Sequence, residues 1–178
     1  MGANQAVRAA GAVGWLSTPP FDPLAVLRTL VDHEVRFVLI GGYAAAIHGS
    51  PVITGDVDIC YAPDDDNLER LAAALGELGA TLRGAPSDVP FRPDAQVLKA
   101  GDHFTFSTKA GALDCIGTPA GTDGLADLDA SATDEDLDGL VVRAASVDDL
   151  IRMKRAAGRP QDLIAVEWLA ALRDELEK

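Results

Sequence analysis

Cysteine is scarce in this sequence. The 178 residues include two cysteines, Cys60 and Cys115, too few for the disulfide framework of a small secreted domain. Both lie in apolar stretches that predict strands. Because side chains alternate across a strand, Cys60 falls on the same face as Asp58, whereas Cys115 falls on the face opposite Asp114. If the two acids converge, the thiols diverge, and we expect both to be reduced.

Basic residues are also in short supply. The sequence has 15 Lys and Arg against 28 Asp and Glu, which gives a formal net charge of −13. Such a charge repels nucleic acid, so a polynucleotide substrate would require a local basic patch. No Lys or Arg occurs between Lys109 and Arg143. Apart from Asp114, which lies in an apolar run, the acids of this stretch predict a solvated acidic loop.

Long apolar runs are missing as well. No run reaches the roughly 18 to 20 residues that a membrane-spanning helix needs, and the first residues lack the pattern of a signal peptide. We therefore expect a cytoplasmic protein with no membrane partner. The length fits one domain, and 48% hydrophobic residues supply its core. We predict a flexible N-terminal arm over residues 1–20 and a single domain over 21–178, of which 146–178 form a helical C-terminal part.

Apolar periodicity and turn residues predict an alternation of helices and strands in the first half of the chain. The predicted order is a helix from Asp22, a strand over 37–40, a short helix over 43–48, a strand over 56–61 and a helix from Asp64 to Gly79. An irregular loop over 84–94 follows, then short strands at 97–98, 104–108, 112–116 and 139–144, and helices over 147–157 and 160–175. This pattern predicts an α/β (α+β) fold with a small mixed sheet flanked by helices.

Two carboxylates lie side by side on the second predicted strand. In Asp56-Val57-Asp58 the acids point to one face, while Val57 points to the other. Such a pair is repulsive until a divalent metal ion lies between the oxygens. The strand before it is bounded by Gly41-Gly42, and thirteen residues separate Gly42 from Asp56. The acid pair is therefore a candidate metal site.

The combination of Ile40-Gly41-Gly42 with Asp56-Val57-Asp58 resembles the nucleotidyltransferase fold of the DNA polymerase beta superfamily, in its small bacterial branch. The third acid of that family lies on a later apolar strand, and Leu113-Asp114-Cys115-Ile116 matches it. The resemblance covers about residues 22 to 172. It implies that Asp56, Asp58 and Asp114 are the catalytic residues and hold Mg²⁺ or Mn²⁺.

The same resemblance implies a binding site for a nucleoside triphosphate such as ATP. Gly41 and Gly42 would let the backbone approach the phosphates, and the amides that open the helix at Tyr43 would donate to them. Relatives with similar cation spacing imply that Lys154 and Arg159 contact the triphosphate and that Asp162 orients one of them. The alternative is that cations at a helix C-terminus complement its dipole and that Asp162 pairs locally.

The resemblance implies transfer of a nucleoside monophosphate to a hydroxyl of a tRNA, a protein or a small molecule. The branch includes toxins, so a toxin-antitoxin pair with an antitoxin protein as partner is one implied setting. Relatives often carry an arginine in the loop before the acid pair, whereas residues 50–55 contain none. This departure motivates an alternative, a catalytically silent module that binds nucleotide or a partner protein. A third reading is metal-dependent phosphate hydrolysis at the same acids.

Overall fold

The computed structural model describes residues 20–85, 91–176 and 178. The helices of this part of the chain are α1 (Pro23–Asp32), α2 (Gly41–Ile47), α3 (Asp65–Glu77), α4 (Ala95–Ala100), α5 (Leu125–Asp129), α6 (Val147–Ala157) and α7 (Pro160–Leu176). The strands are β1 (Phe37–Ile40), β2 (Asp56–Tyr61), β3 (Thr81–Leu82), β4 (His103–Thr108), β5 (Gly111–Ile116), β6 (Thr133–Leu137) and β7 (Leu140–Ala144). They form one mixed sheet in the order β3-β4-β5-β2-β1-β7-β6, which confirms the predicted fold class.

Strand β1 lies in the interior of the sheet. All four of its residues are buried, because it pairs antiparallel with β2 on one side and parallel with β7 on the other. This arrangement explains its continuous apolar run. The chain passes from β1 directly into α2 at Gly41, whose φ of +69° is accessible to glycine. Helix α2 therefore begins two residues before the predicted position, and the diglycine forms its first turn.

The pairing of β2 with β5 determines where the acids lie. These strands run parallel, and Asp58 is the register partner of Asp114. Val57 and Ile59 point into the core on the other face of β2 and are fully buried. Cys60 and Cys115 are both free thiols on opposite faces of the paired strands, as predicted, and both are buried.

The prediction of a strand at residues 97–98 is wrong. This segment lies in α4, and the side chain of Asp94 caps the helix by accepting a hydrogen bond from the backbone N–H of Val97. Leu98 is fully buried on one side of the helix. An apolar pair is too short to show whether its period is that of a strand or a helix.

The prediction of an acidic loop after Asp114 is also wrong. Residues 125–129 form α5, and residues 133–137 form β6, which pairs antiparallel with β7 at one edge of the sheet. Arg143 on β7 bonds to Asp129 and Asp134 and so offsets part of the acidic charge. Acids are common on edge strands because they discourage pairing with another chain. The opposite edge is β3, which the sequence pattern did not predict.

The two C-terminal helices end close to their predicted positions. Ser146 caps α6 by accepting from the backbone N–H of Asp149, and Gly158 ends the helix in the left-handed conformation. Helix α6 contacts α2 and packs along α7.

The predicted arm lies outside the described residues except for Pro20, so the division into an arm and one domain stays a prediction. None of the helices in the described ranges has the length and apolar character needed to cross a membrane.

Candidate functional site

Three carboxylates converge at the junction of β2 and β5. Asp56, Asp58 and Asp114 each offer an oxygen, and these three oxygens lie within 4.8 Å of one another. All three side chains are partly buried. Carboxylate oxygens at this spacing are the ligands that Mg²⁺ and Mn²⁺ prefer. The structure therefore brings together the three acids that the sequence singled out.

The electrostatics of this cluster favour a bound cation. Burial, followed by the charges of Asp56 and Asp114, raises the pKa of Asp58 to about 7 from an ordinary value of 3.8. Lys154 and a hydrogen bond from the backbone N–H of Gly42 lower it only in part. Burial also raises the pKa of Asp114, against the opposing charge of Arg83. A divalent ion between the carboxylates would offset this repulsion, so the donor set fits such a metal.

Each acid has its own hydrogen-bond donor. Thr54 Oγ1 donates to Oδ1 of Asp56 at 2.7 Å, and Arg83 Nη2 donates to Oδ1 of Asp114 at 2.8 Å. The backbone N–H of Gly42 donates to Asp58. Sequence reasoning missed Thr54 and Arg83. The spacing of Thr54 two residues before Asp56 is a local signal for such a bond, whereas Arg83 follows a strand too short to predict.

The two glycines make room for the acids. A Cβ on Gly41 would lie 2.1 Å from Oδ2 of Asp58, and a Cβ on Gly42 would lie 2.8 Å from Cβ and Oγ1 of Thr54. Both distances are too short for a side chain to fit. The diglycine therefore serves the packing of the acid cluster, which is a reason for glycine beyond the predicted approach to phosphate.

Two cations share a buried acid in the turn between α6 and α7. Lys154 Nζ lies 3.1 Å from Oδ1 of Asp162, and Arg159 Nε lies 2.6 Å from its Oδ2. The Asp162 side chain is 0% exposed. The hydrogen bond from Arg159, then that from Lys154, lowers its pKa to about 2 despite burial. Asp162 thus fixes both cations, where the resemblance implied that it orients one. Lys154 also lies in the last turn of α6, so its positive charge interacts favourably with the dipole of that helix as well.

The acids and the cations line one cavity of about 520 Å³. Its lining also includes the loop before β2, where the side chain of Ile53 is 96% exposed. Tyr43 is not among the described residues that line this cavity. Its ring packs edge-on against Phe21 instead, with 6.4 Å between centroids. The predicted contact between the Tyr43 backbone and a phosphate therefore stays a prediction.

The sequence matches no protein-family model, and no curated protein is significantly similar to it. Several solved structures share its fold. A protein from Thermotoga maritima assigned as a nucleotidyltransferase is 18% identical, covers 87% of this chain and 92% of its own, and has a TM-score of 0.51. The antibiotic-resistance factor ANT(2'')-Ia is 15% identical over 87% of this chain and 91% of its own, also with a TM-score of 0.51.

A third similar structure is the lincosamide antibiotic adenylyltransferase LnuA with lincomycin bound. It is 14% identical, covers 84% of this chain and 95% of its own, and has a TM-score of 0.56. At such low identity the similarity establishes the architecture. The chain has the fold of these nucleotidyltransferases, as the diglycine and the Asp-x-Asp pair predicted.

Proposed function

We propose that this protein is a metal-dependent nucleotidyltransferase that moves a nucleoside monophosphate from an NTP to a hydroxyl acceptor. The observation that carries the proposal is the presence of three converging carboxylates and two fixed cations in one cavity. Phosphoryl transfer requires both, because negative charge must be balanced on the attacking and leaving oxygens. The fold neighbours are consistent with this class of reaction.

The three acids have two roles at the reacting centre, which are metal binding and removal of the proton from the acceptor hydroxyl. Asp56, Asp58 and Asp114 would hold Mg²⁺ or Mn²⁺, which would supply stabilisation of the negative charge that develops on the oxygens during transfer. Arg83 engages Oδ1 of Asp114, which leaves Oδ2 either to bind the metal or to accept the proton of the acceptor hydroxyl. A bond forms from the acceptor oxygen to the α-phosphorus, the bond to the bridging oxygen breaks, and pyrophosphate leaves.

The cations bind the triphosphate. Lys154 and Arg159 carry two positive charges against the single charge of Asp162, so a net positive charge remains for the phosphates. Because Asp162 already holds both side chains, little rotamer entropy is lost when the nucleotide binds. The backbones of Gly41, Gly42 and Tyr43 lie at the start of α2 and complete the proposed nucleotide site.

The acceptor that fits this charge distribution best is a small hydroxyl-bearing molecule. Residues 152–159 are the basic segment that an RNA acceptor would use, but Arg152 pairs with Asp127 and Asp149. Lys154 and Arg159 bind the triphosphate in this proposal, so Arg155 alone remains in this segment for an RNA backbone. A polynucleotide needs several cations free to neutralise phosphates. The bound lincomycin of LnuA shows that a small molecule occupies another protein of this fold. A toxin role, an antitoxin partner and a cytoplasmic location stay predictions.

The direct test is release of pyrophosphate from each α-labelled NTP with Mg²⁺ or Mn²⁺, in the presence of a mixture of small hydroxyl compounds. We expect one NTP to support release and Asp58→Asn to reduce it to background. Glu69→Gln on the exposed side of α3 is the control and should match the wild type. Labelled acceptor would appear as a mass increase of one nucleoside monophosphate.

Other outcomes separate the competing functions. Free phosphate without a labelled acceptor would indicate hydrolysis. Nucleotide binding without turnover would indicate a silent regulatory module, which the loop before β2 favours because it brings Val52 and Ile53, and no arginine, to the cavity. The enzyme proposal is rejected if no NTP is turned over and metal ions do not raise the melting temperature.

A further inference from the structure

Asp56 is the most weakly anchored of the three acids by position. It is the first residue of β2, where the chain enters the sheet from the loop over residues 50–55. Asp58 and Asp114 lie further along their strands and pair in register. A carboxylate at the start of a strand has more rotational freedom than one inside it, and ordering it for a metal costs entropy. The bond from Thr54 removes much of this freedom.

The position of Thr54 is itself fixed by the diglycine turn. Its Cβ and Oγ1 lie 2.8 Å from the place where a Cβ on Gly42 would be. Any side chain at residue 42 would displace it. Thr54 Oγ1 also lies 3.3 Å from the backbone carbonyl oxygen of Asp56. The hydroxyl is therefore held between the turn that opens α2 and the residue that opens β2.

We propose that Thr54 is the positioning residue of the metal site and that Gly42 is glycine because it must leave space for Thr54. The hydroxyl donates to Oδ1 of Asp56 at 2.7 Å and would leave Oδ2 to bind the ion. This inference rests on the proposed function in one respect, because it uses the same metal site. Hydrogen bonds to metal-binding carboxylates fix their orientation and tune their affinity.

Thr133 provides a matched control for a threonine whose hydrogen bond serves only its own strand. Thr133 Oγ1 donates to Oε1 of Glu135 at 2.8 Å, with the same two-residue spacing, on the exposed edge strand β6. Neither residue lines the cavity described above. Valine keeps the shape of threonine but lacks the hydroxyl. Thr54→Val and Thr133→Val therefore remove the same type of hydrogen bond, in one case at the proposed metal site and in the other case away from it.

The experiment is a titration of Mn²⁺ into nucleotide-free protein, followed by calorimetry and by the electron paramagnetic resonance signal of free Mn²⁺. We expect Thr54→Val to weaken Mn²⁺ binding by at least about tenfold. Thr54→Ser, which retains the hydroxyl, should restore binding to within about threefold of the wild type. Thr133→Val should bind Mn²⁺ like the wild type. The metal-free melting temperatures of Thr54→Val and Thr133→Val should be similar.

A second variant covers the case in which Thr54→Val fails to fold. Gly42→Ala keeps the hydroxyl but displaces it, and it should weaken Mn²⁺ binding in the same way. Unchanged Mn²⁺ affinity in Thr54→Val, or an equal loss in Thr133→Val, overturns the positioning role while the metal site stands. Failure of the wild type to bind Mn²⁺ overturns the metal site and the proposed function with it.

Discussion

Asp58 and Asp162 line the same cavity, yet their carboxyl groups behave in opposite ways. The pKa of Asp58 is raised to about 7, whereas that of Asp162 is lowered to about 2. Burial raises the pKa in both cases. The neighbours make the difference, because two carboxylates surround Asp58 and two cations surround Asp162. The comparison divides the site into an acidic half that requires a cation and a basic half whose two cations are already held by a carboxylate.

The two halves are therefore organised differently before any substrate binds. The acidic half holds three carboxylates against the guanidinium of Arg83, so repulsion remains. In the basic half, Asp162 fixes Lys154 and Arg159 in place. The charge of Lys154 acts on both halves, since it also lowers the pKa of Asp58. A metal and a triphosphate together would supply the charges that each half lacks.

The largest expected effect comes from crowding the acidic half. Gly41→Ala would place a Cβ 2.1 Å from the carboxylate of Asp58, at a backbone φ of +69°. The left-handed conformation and the steric overlap should together lower the free energy of unfolding by about 3 kcal/mol. Displacement of Asp58 should also abolish Mn²⁺ binding. Urea denaturation and Mn²⁺ titration measure the two effects.

Gly139→Ala provides the control for backbone strain alone. Gly139 has a φ of +83° in the turn between β6 and β7, and no heavy atom lies within 4 Å of its Cβ position. This change should lower the free energy of unfolding by about 1 kcal/mol. Equal losses in Gly41→Ala and Gly139→Ala would show that Asp58 does not require the space.

The parts of the site that the sequence predicts are those with a local pattern. Strand alternation places Asp56 and Asp58 on one face, and the apolar run around Asp114 marks the strand that pairs beside them. The predicted segment from Lys154 to Asp162 also meets the acids at one cavity. Arg83 had no such pattern, because β3 has two residues and its side chain reaches Asp114 from 31 positions away.

The errors in the predicted fold lie away from the central strands. The segment at 97–98 is too short to show its period, whereas β6 and β7 are joined by the two-residue turn Asp138-Gly139, a local hairpin signal that the predicted acidic loop overlooked. Strand β6 forms because β7 offers it a partner along its whole length. Pairing with this adjoining strand outweighs the low strand propensity of the acids in β6. The core strands are predictable because burial dictates their composition.

Asp162→Asn should lower the free energy of unfolding by an intermediate amount, because it removes the acid that holds Lys154 and Arg159. The lowered pKa means that the carboxylate stabilises the folded state above pH 3.8, and that this contribution is lost as the pH falls toward about 2. At pH 7 the variant should lose about 2 kcal/mol of unfolding free energy. Denaturation curves at pH 7 and at pH 3 measure the loss, which should shrink at the lower pH.

Asp148→Asn is the matched control on the same pair of helices. Asp148 on α6 pairs with Arg173 on α7 at 3.3 Å, and its side chain is 73% exposed. Such a surface pair contributes less than about 1 kcal/mol. If Asp162→Asn were no more destabilising than Asp148→Asn, the buried acid would not be the element that organises the basic half.

Asp58→Asn should change the free energy of unfolding least of these variants. Unlike the others, it should raise that free energy. Because the pKa of Asp58 is raised, the folded state binds more protons than the unfolded state between pH 3.8 and about 7, and stability falls as the pH rises through that window. Without metal at pH 8, the variant should gain about 1 kcal/mol, because burial of the new amide offsets part of the relieved repulsion. This gain in unfolding free energy should vanish near pH 4, whereas the effect of Glu69→Gln should not depend on pH.

Mg²⁺ should stabilise wild-type protein and not Asp58→Asn. A variant that is less stable than the wild type at pH 8 without metal would show that the acidic half is already balanced, and the contrast with Asp162 would fail.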